Sequence, residues 1–374
     1  MKKYCILFLM SFFMISNSFG KNDKQFYFKI DGKINADTGT VSLRFFSEYT
    51  PNKVVELVAR VQNNKFSISG YIPEPQGVSI SFENHYTPSD FILEKGLQTI
   101  SINTDSTRKM PIIENNTMIN EYPRYTAFFK QLDIKKSIFY QKYDSLYKLN
   151  NYQLPAAIKK IADKEDDNLY AEGNQLLLRY SVKNPSSEIA FWSLIRKMLF
   201  GYEPIFDSIY NSFSSELKNG YAGRILNKKL ESGRQLSVGK LFPPLQCVNR
   251  NNEKFTPTIF LKNKLTLVDF WYSGCGPCRA QFNRLKDLYS QFGNKGFEIV
   301  GISVDRDTDK KKWEDIIIND KLIWQQYWDM NGINSERLSI IALPTNFLID
   351  GTGKIIAKNI SLGELDELLS RSLN

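Results

Sequence analysis

Asp269-Phe270-Trp271-Tyr272-Ser273-Gly274-Cys275-Gly276-Pro277-Cys278 is the stretch around which the rest of the chain is read. An apolar strand runs into a Cys-x-x-Cys that opens a helix. The helix N-terminus presents unpaired backbone N–H groups and partial positive charge, which favour a thiolate at Cys275 over the thiol. Cys278, three residues on, is within reach to close a disulfide once Cys275 has attacked a partner. Gly276 and Pro277 suit the turn, because proline lacks the N–H that a first-turn position leaves unpaired and arrives with a helical φ. Metal binding fits poorly: zinc takes about four ligands, and the remaining candidates are Cys247, Cys5 and the single histidine, His85. No metal site is expected. A Cys-x-x-Cys beside a βαβ pattern points instead to a dithiol that cycles.

Leu265, Leu267, Val268, Phe270 and Trp271 make a nearly continuous apolar run, as in a strand buried on both faces. Asp269 interrupts it. A carboxylate there is costly unless paired or protonated, so its pKa is expected to rise. Downstream, Phe282, Leu285, Leu288, Tyr289 and Phe292 recur at helical spacing. A strand over 297–305, the step Leu343-Pro344-Thr345, a strand over 346–350, the turn Gly351-Thr352-Gly353 and a final strand and helix complete a sheet covered by helices.

In this order, the segments of residues 236–374 resemble thioredoxin-fold thiol-disulfide oxidoreductases, of the bacterial extracytoplasmic type related to TlpA and ResA. Phe242-Pro243-Pro244 and the segment 247–260 are similar to the extra N-terminal hairpin of that branch. The resemblance implies that Asp269 moves the proton of Cys278. It also implies that Pro344 is a cis-proline opposite the disulfide, with the backbone of Leu343 pairing with an extended partner peptide. Trp271, Gly276 and Pro277 complete the expected substrate-contacting set. Two departures stand out: Gly274 where thioredoxins commonly carry Trp, which predicts a less shielded Cys275, and Asn283 where they commonly carry Pro. Peroxidase chemistry needs a Pro-x-x-x-Thr-x-x-Cys setting that the residues before Cys278 do not supply. Cys247 reads as a small apolar core thiol, with a third redox role as the alternative.

At the other end, Lys2 and Lys3, an apolar run from Tyr4 to Ile15 and small residues to Gly20 read as an export signal over 1–20. The run is shorter than the roughly 20 residues that span a bilayer. Cys5 would leave with it. An exported chain with so few cysteines does not rest its fold on disulfides. Lys and Arg number 49 against 40 Asp and Glu, or 47 against 40 without Lys2 and Lys3, a surplus spread too thinly for a nucleic-acid face. The chain carries no dinucleotide or flavin fingerprint and no cofactor is expected, so electrons would come from another protein, a membrane or periplasmic thiol donor.

Length argues for several domains. Over residues 21–120 the pattern alternates (Phe26, Phe28, Ile30; Val41, Leu43, Phe45), with turns expected at Asp31-Gly32, Asn63-Asn64 and Lys95-Gly96, giving an antiparallel β domain. It is similar to the β domain placed before TlpA-like domains in Bacteroidetes proteins. Residues 121–235 read as helical, with Asn184-Pro185-Ser186-Ser187 breaking and capping between two helices. The expected whole is multidomain: a β domain, a helical middle and a C-terminal α/β thioredoxin-like fold. Reduction of disulfides in partner proteins is the expected activity. A disulfide-donating oxidase or isomerase, or a binding module with a secondary redox domain, are the alternatives.

Overall fold

The computed structural model describes residues 25–46, 54–83, 85–103, 112–149 and 154–373. The expected signal at 1–20, with Cys5, lies outside them. The chain divides into two units. One runs to Gly173 and takes in Ser186–Trp192 and Ser214–Gly223; the other holds Asn174–Pro185, Ser193–Phe213 and Arg224–Asn374.

Among the described residues the first unit is built on eight strands: β1 (Phe26–Ile34), β2 (Thr38–Phe46), β3 (Val54–Gln62), β4 (Lys65–Ile72), β5 (Gln76–Phe82), β6 (His85–Leu93), β7 (Gly96–Ile102) and β8 (Ile112–Glu114). They form one sheet in the order β6-β5-β2-β3-β4-β1-β7-β8. All neighbours run antiparallel except β1 and β7, which are parallel. The alternation in sequence becomes a one-sided core in which Phe28, Ile30, Val41, Leu43, Ile68 and Ile80 are buried together. Asn63 and Asn64, both at positive φ, make the expected tight turn. The turn expected at Asp31-Gly32 is overturned, because β1 runs straight through it. Gly32 pairs with Phe66 across the strands, and a Cβ on it would lie 2.0 Å from Cζ of that ring. The glycine makes room for an aromatic ring and turns nothing.

The helices are α1 (Glu121–Leu149), α2 (Ala156–Lys183), α3 (Glu188–Met198), α4 (Ile205–Ser212), α5 (Ser215–Asn219) and α6 (Tyr221–Arg234), and both units share them. Ser187 caps α3 as expected, its hydroxyl accepting from the N–H of Ala190 at 3.0 Å. Among the described residues no helix is long and apolar enough to cross a membrane.

The second unit carries β9 (Val248–Asn249), α7 (Thr258–Leu261), β10 (Leu265–Trp271), α8 (Gly276–Phe292), β11 (Phe297–Ser303), α9 (Lys310–Asn319), β12 (Gln325–Trp328), α10 (Ile333–Arg337), β13 (Thr345–Asp350), β14 (Ile355–Lys358) and α11 (Leu362–Leu373). Its mixed sheet runs β14-β13-β10-β11-β12-β9, with β10, β11 and β12 mutually parallel. Every residue of β10 is buried, with Leu265, Leu267 and Trp271 on the face toward α8 and Val268 and Phe270 on the other. This is the thioredoxin-like fold. The sequence pattern missed β12, and β11 ends at Ser303, before Asp305.

Candidate active site

The carboxyl ends of β10, β11 and β12 gather at one edge of the sheet. Beyond Trp271 the chain turns, with the N–H of Cys275 donating to the carbonyl of Tyr272 at 3.0 Å, and Cys275 becomes the N-cap of α8. Its sulfur accepts the N–H of Cys278 at 3.1 Å. A backbone donor and the positive end of a 17-residue helix thus converge on one sulfur, which favours negative charge there. Cys275 and Cys278 are joined as a disulfide with their Cα atoms 5.2 Å apart.

Gly274 does not uncover Cys275, which is only 3% exposed. The ring of Tyr272 fills the space a side chain at 274 would take; a Cβ there would stand 3.0 Å from it.

Asp269 shares a strand face with Leu267 and Trp271, and those residues pack in one cluster with Cys275, Cys278 and Phe282. The carboxyl is therefore turned toward the layer that holds the disulfide. It is 3% exposed, its Oδ1 has no hydrogen-bond partner, and burial pushes its pKa up to about 7. An acid of this kind accepts and returns a proton near neutrality.

Trp271, expected among the substrate contacts, lies in the interior of the described structure. It is 1% exposed, donates from Nε1 to Gln326 Oε1 at 3.1 Å and sets its ring edge-on to Phe282 at 5.2 Å. It braces the helix against the sheet. Gly276 and Pro277 are exposed. Leu343 and Pro344 are half-buried and joined by a cis peptide bond. Phe270 pairs with Thr345, so Pro344 stands at the sheet end from which the cysteine loop leaves, and Leu343 packs against the cluster holding both sulfurs.

One residue was missed in the sequence. The buried Asp305 accepts from the N–H of Ser273 at 2.9 Å, from the Ser273 hydroxyl at 2.6 Å and from the Ser303 hydroxyl at 2.6 Å. It ties the loop bearing Cys275 to the end of β11. The available signal was an acid placed directly after an apolar strand, at the carboxyl edge of a parallel sheet where sites form. Cys247 is buried, and burial followed by the nearby Asp329 pushes its thiol up to about 12, so it stays protonated.

Residues 238–358 match the AhpC/TSA family, and residues 28–143 match a domain of unknown function, DUF4369. Thiol-disulfide oxidoreductase ResA of Oceanobacillus iheyensis is 27% identical over 134 residues, 35% of this chain and 69% of that protein. ResA of Bacillus cereus strain ZK is 31% identical over 126 residues, 34% of this chain and 71% of that protein. Among solved structures, the thioredoxin domain of a thiol-disulfide oxidoreductase from Bacteroides vulgatus is 31% identical, covering 37% of this chain and 99% of that one, with a TM-score of 0.34. Over the roughly one third of its length that the Bacillus cereus match covers, 34%, the chain belongs to the ResA family of thiol-disulfide oxidoreductases.

Proposed function

We propose that this oxidoreductase is exported and works as a reductase of disulfides in partner proteins, with residues 236–374 carrying the chemistry and the regions 21–120 and 121–235 choosing the partner. The observation that carries the reading is the buried Asp269 carboxyl, its Oδ1 without a hydrogen-bond partner, on the strand face that packs against Cys278. In the reduced protein the Cys275 thiolate attacks one sulfur of the partner disulfide, forming a mixed disulfide and releasing one partner thiolate. Cys278 gives its proton to the Asp269 carboxylate and attacks the Cys275 sulfur. The Cys275–Cys278 disulfide forms, the second partner thiolate leaves and takes up a proton, and two electrons have passed to the partner. The partner chain lies along Gly276, Pro277, Leu343 and Pro344, the exposed or half-exposed rim of the disulfide. A dithiol protein of the membrane or periplasm returns the electrons by the reverse exchange. The apolar run before Gly20 supports export.

Replacing Cys278 with Ala is expected to leave Cys275 covalently attached to its partner in cells, as an adduct seen without reductant and dissolved by dithiothreitol. A folded, exported C278A protein that captures nothing would sink the exchange mechanism. The equilibrium potential of the pair is expected near the reducing end, about −270 mV, and a value near −120 mV, roughly that of strong oxidants, would reverse the direction of electron flow.

A further inference from the structure

Beside the disulfide lies an open groove of about 460 Å³ between α8 and the end of α9. One wall is the α8 face formed by Gly276, Arg279, Asn283 and Lys286, spaced three, four and three residues apart; the other is formed by Asp320 and Lys321 with their neighbour Asn319. From Gly276 to Lys286 the helix rises about 15 Å, the length of four to five residues of extended chain. The head of the groove is next to the attacking sulfur, because Gly276 follows Cys275 directly. It is unobstructed there: a Cβ on Gly276 would meet no atom within 4 Å.

The lining carries three cations against one carboxylate. Asp320 spends its carboxylate on Arg279, at 3.0 and 3.3 Å. Lys286 donates to the backbone carbonyl of Asp320 at 3.1 Å, a partner with no charge to cancel its own. Lys321, exposed in a left-handed turn at φ 51, adds another positive charge at the rim. The amides of Asn283 and Asn319 offer donors and acceptors suited to a polypeptide backbone.

We propose that this groove is a docking subsite for an acidic segment of the protein substrate, lying within a few residues of the cysteine that Cys275 attacks. The proposal rests on the reductase reading and adds a substrate class to it: disulfide-bonded proteins with carboxylates flanking the reactive bond. Once Cys275 is bound to its target, the flanking chain is delivered to the groove at high local concentration, so a modest charge complement is enough to discriminate.

The test uses the full chain, reduced beforehand, and three peptides with one internal disulfide each, identical except that the four residues flanking it on either side are Glu/Asp, Gln/Asn or Lys. Reduction of the acidic peptide is expected to exceed that of the neutral one about tenfold in kcat/KM, the effect of two screened ion pairs together, with the basic peptide poorest. The ratio is expected to approach one in about 0.5 M salt and in Lys286→Gln/Lys321→Gln. Lys321→Gln alone, at an exposed position, is expected to cut it about threefold. Equal rates for acidic and neutral peptides, or a preference that survives the double substitution, would overturn the subsite while leaving the reductase intact. If neither the peptides nor a small aromatic disulfide is reduced at all, the reductase reading fails and takes the subsite with it.

Discussion

Asp269 is a carboxyl placed where its charge is least welcome, and this has consequences for both stability and rate. Its ordinary value is 3.8 and burial raises it to about 7 in the folded protein. A raised folded-state pKa contributes stability that is complete below the unfolded value and is lost as pH climbs through the folded one. Asp269 therefore weakens the fold progressively between about pH 4 and pH 7, by up to about 4 kcal/mol. Asp269→Asn keeps the shape and removes the charge. The oxidised variant is expected to be more stable than the parent at pH 8, to match it near pH 4 and to show a flatter profile between, as measured by urea unfolding at each pH. Catalysis is expected to move the other way: without a proton acceptor for Cys278, resolution of the mixed disulfide slows about 100-fold. A variant with unchanged pH dependence would show that the carboxyl is solvated or paired. The cost of this residue is legible in the sequence, since a lone acid in an apolar strand has few places to go.

The elements divide by how locally their causes act. Strand β10 and helix α8 follow from periodicity and the helix-opening Gly-Pro pair, all within a few residues, and both stand where the sequence puts them. Strand β12 is four residues long and opens on Gln325-Gln326, too short and too polar to show a pattern. Gly32 misleads because Asp-Gly is a common turn signal, while its true reason, the ring of Phe66, is supplied by another strand. Asp305 is hidden in the same way: Ser273, which it holds, is 32 residues away along the chain. That clamp joins the ends of two parallel strands and sets where the cysteine loop begins. Asp305→Ala leaves the Ser273 N–H and two hydroxyls without their acceptor. It is expected to cost about 2–4 kcal/mol in urea unfolding, at about 1–3 kcal/mol for each unsatisfied buried donor that solvent does not reach. It is also expected to slow attack by Cys275 on a small disulfide about tenfold, with Asp305→Asn in between because one acceptor oxygen remains. Unchanged attack in a destabilised Ala variant would make the clamp purely structural.

Across the whole chain, sequence composition suggests a cut near residue 235, where helix gives way to the redox region. The second compact unit also takes in segments that precede that point in the chain. That unit holds Asn174–Pro185, Ser193–Phe213 and most of α6 together with the redox sheet. Lys358 on β14 donates to the carbonyl of Tyr202 at 3.0 Å, and burial holds its pKa below the ordinary lysine value. Tyr202 in turn sits on Gly233, where a Cβ would come within 2.3 Å of it, and its hydroxyl donates to Asp207 at 2.6 Å. A fragment of residues 236–374 keeps Cys275, Cys278, Asp269, Asp305 and Pro344 but strips Tyr202 from Lys358 and exposes the edge of the sheet beside Phe347. It is expected to reduce a small disulfide at close to the rate of the whole chain. It is also expected to unfold at a clearly lower urea concentration than the redox unit does within the whole chain, and its Lys358 amine should return toward the ordinary lysine range, visible as a pH profile of acylation whose midpoint moves to higher pH. Equal midpoints for fragment and whole chain would mean that the helices lend the redox unit no stability, and that whatever they contribute is confined to the choice of partner.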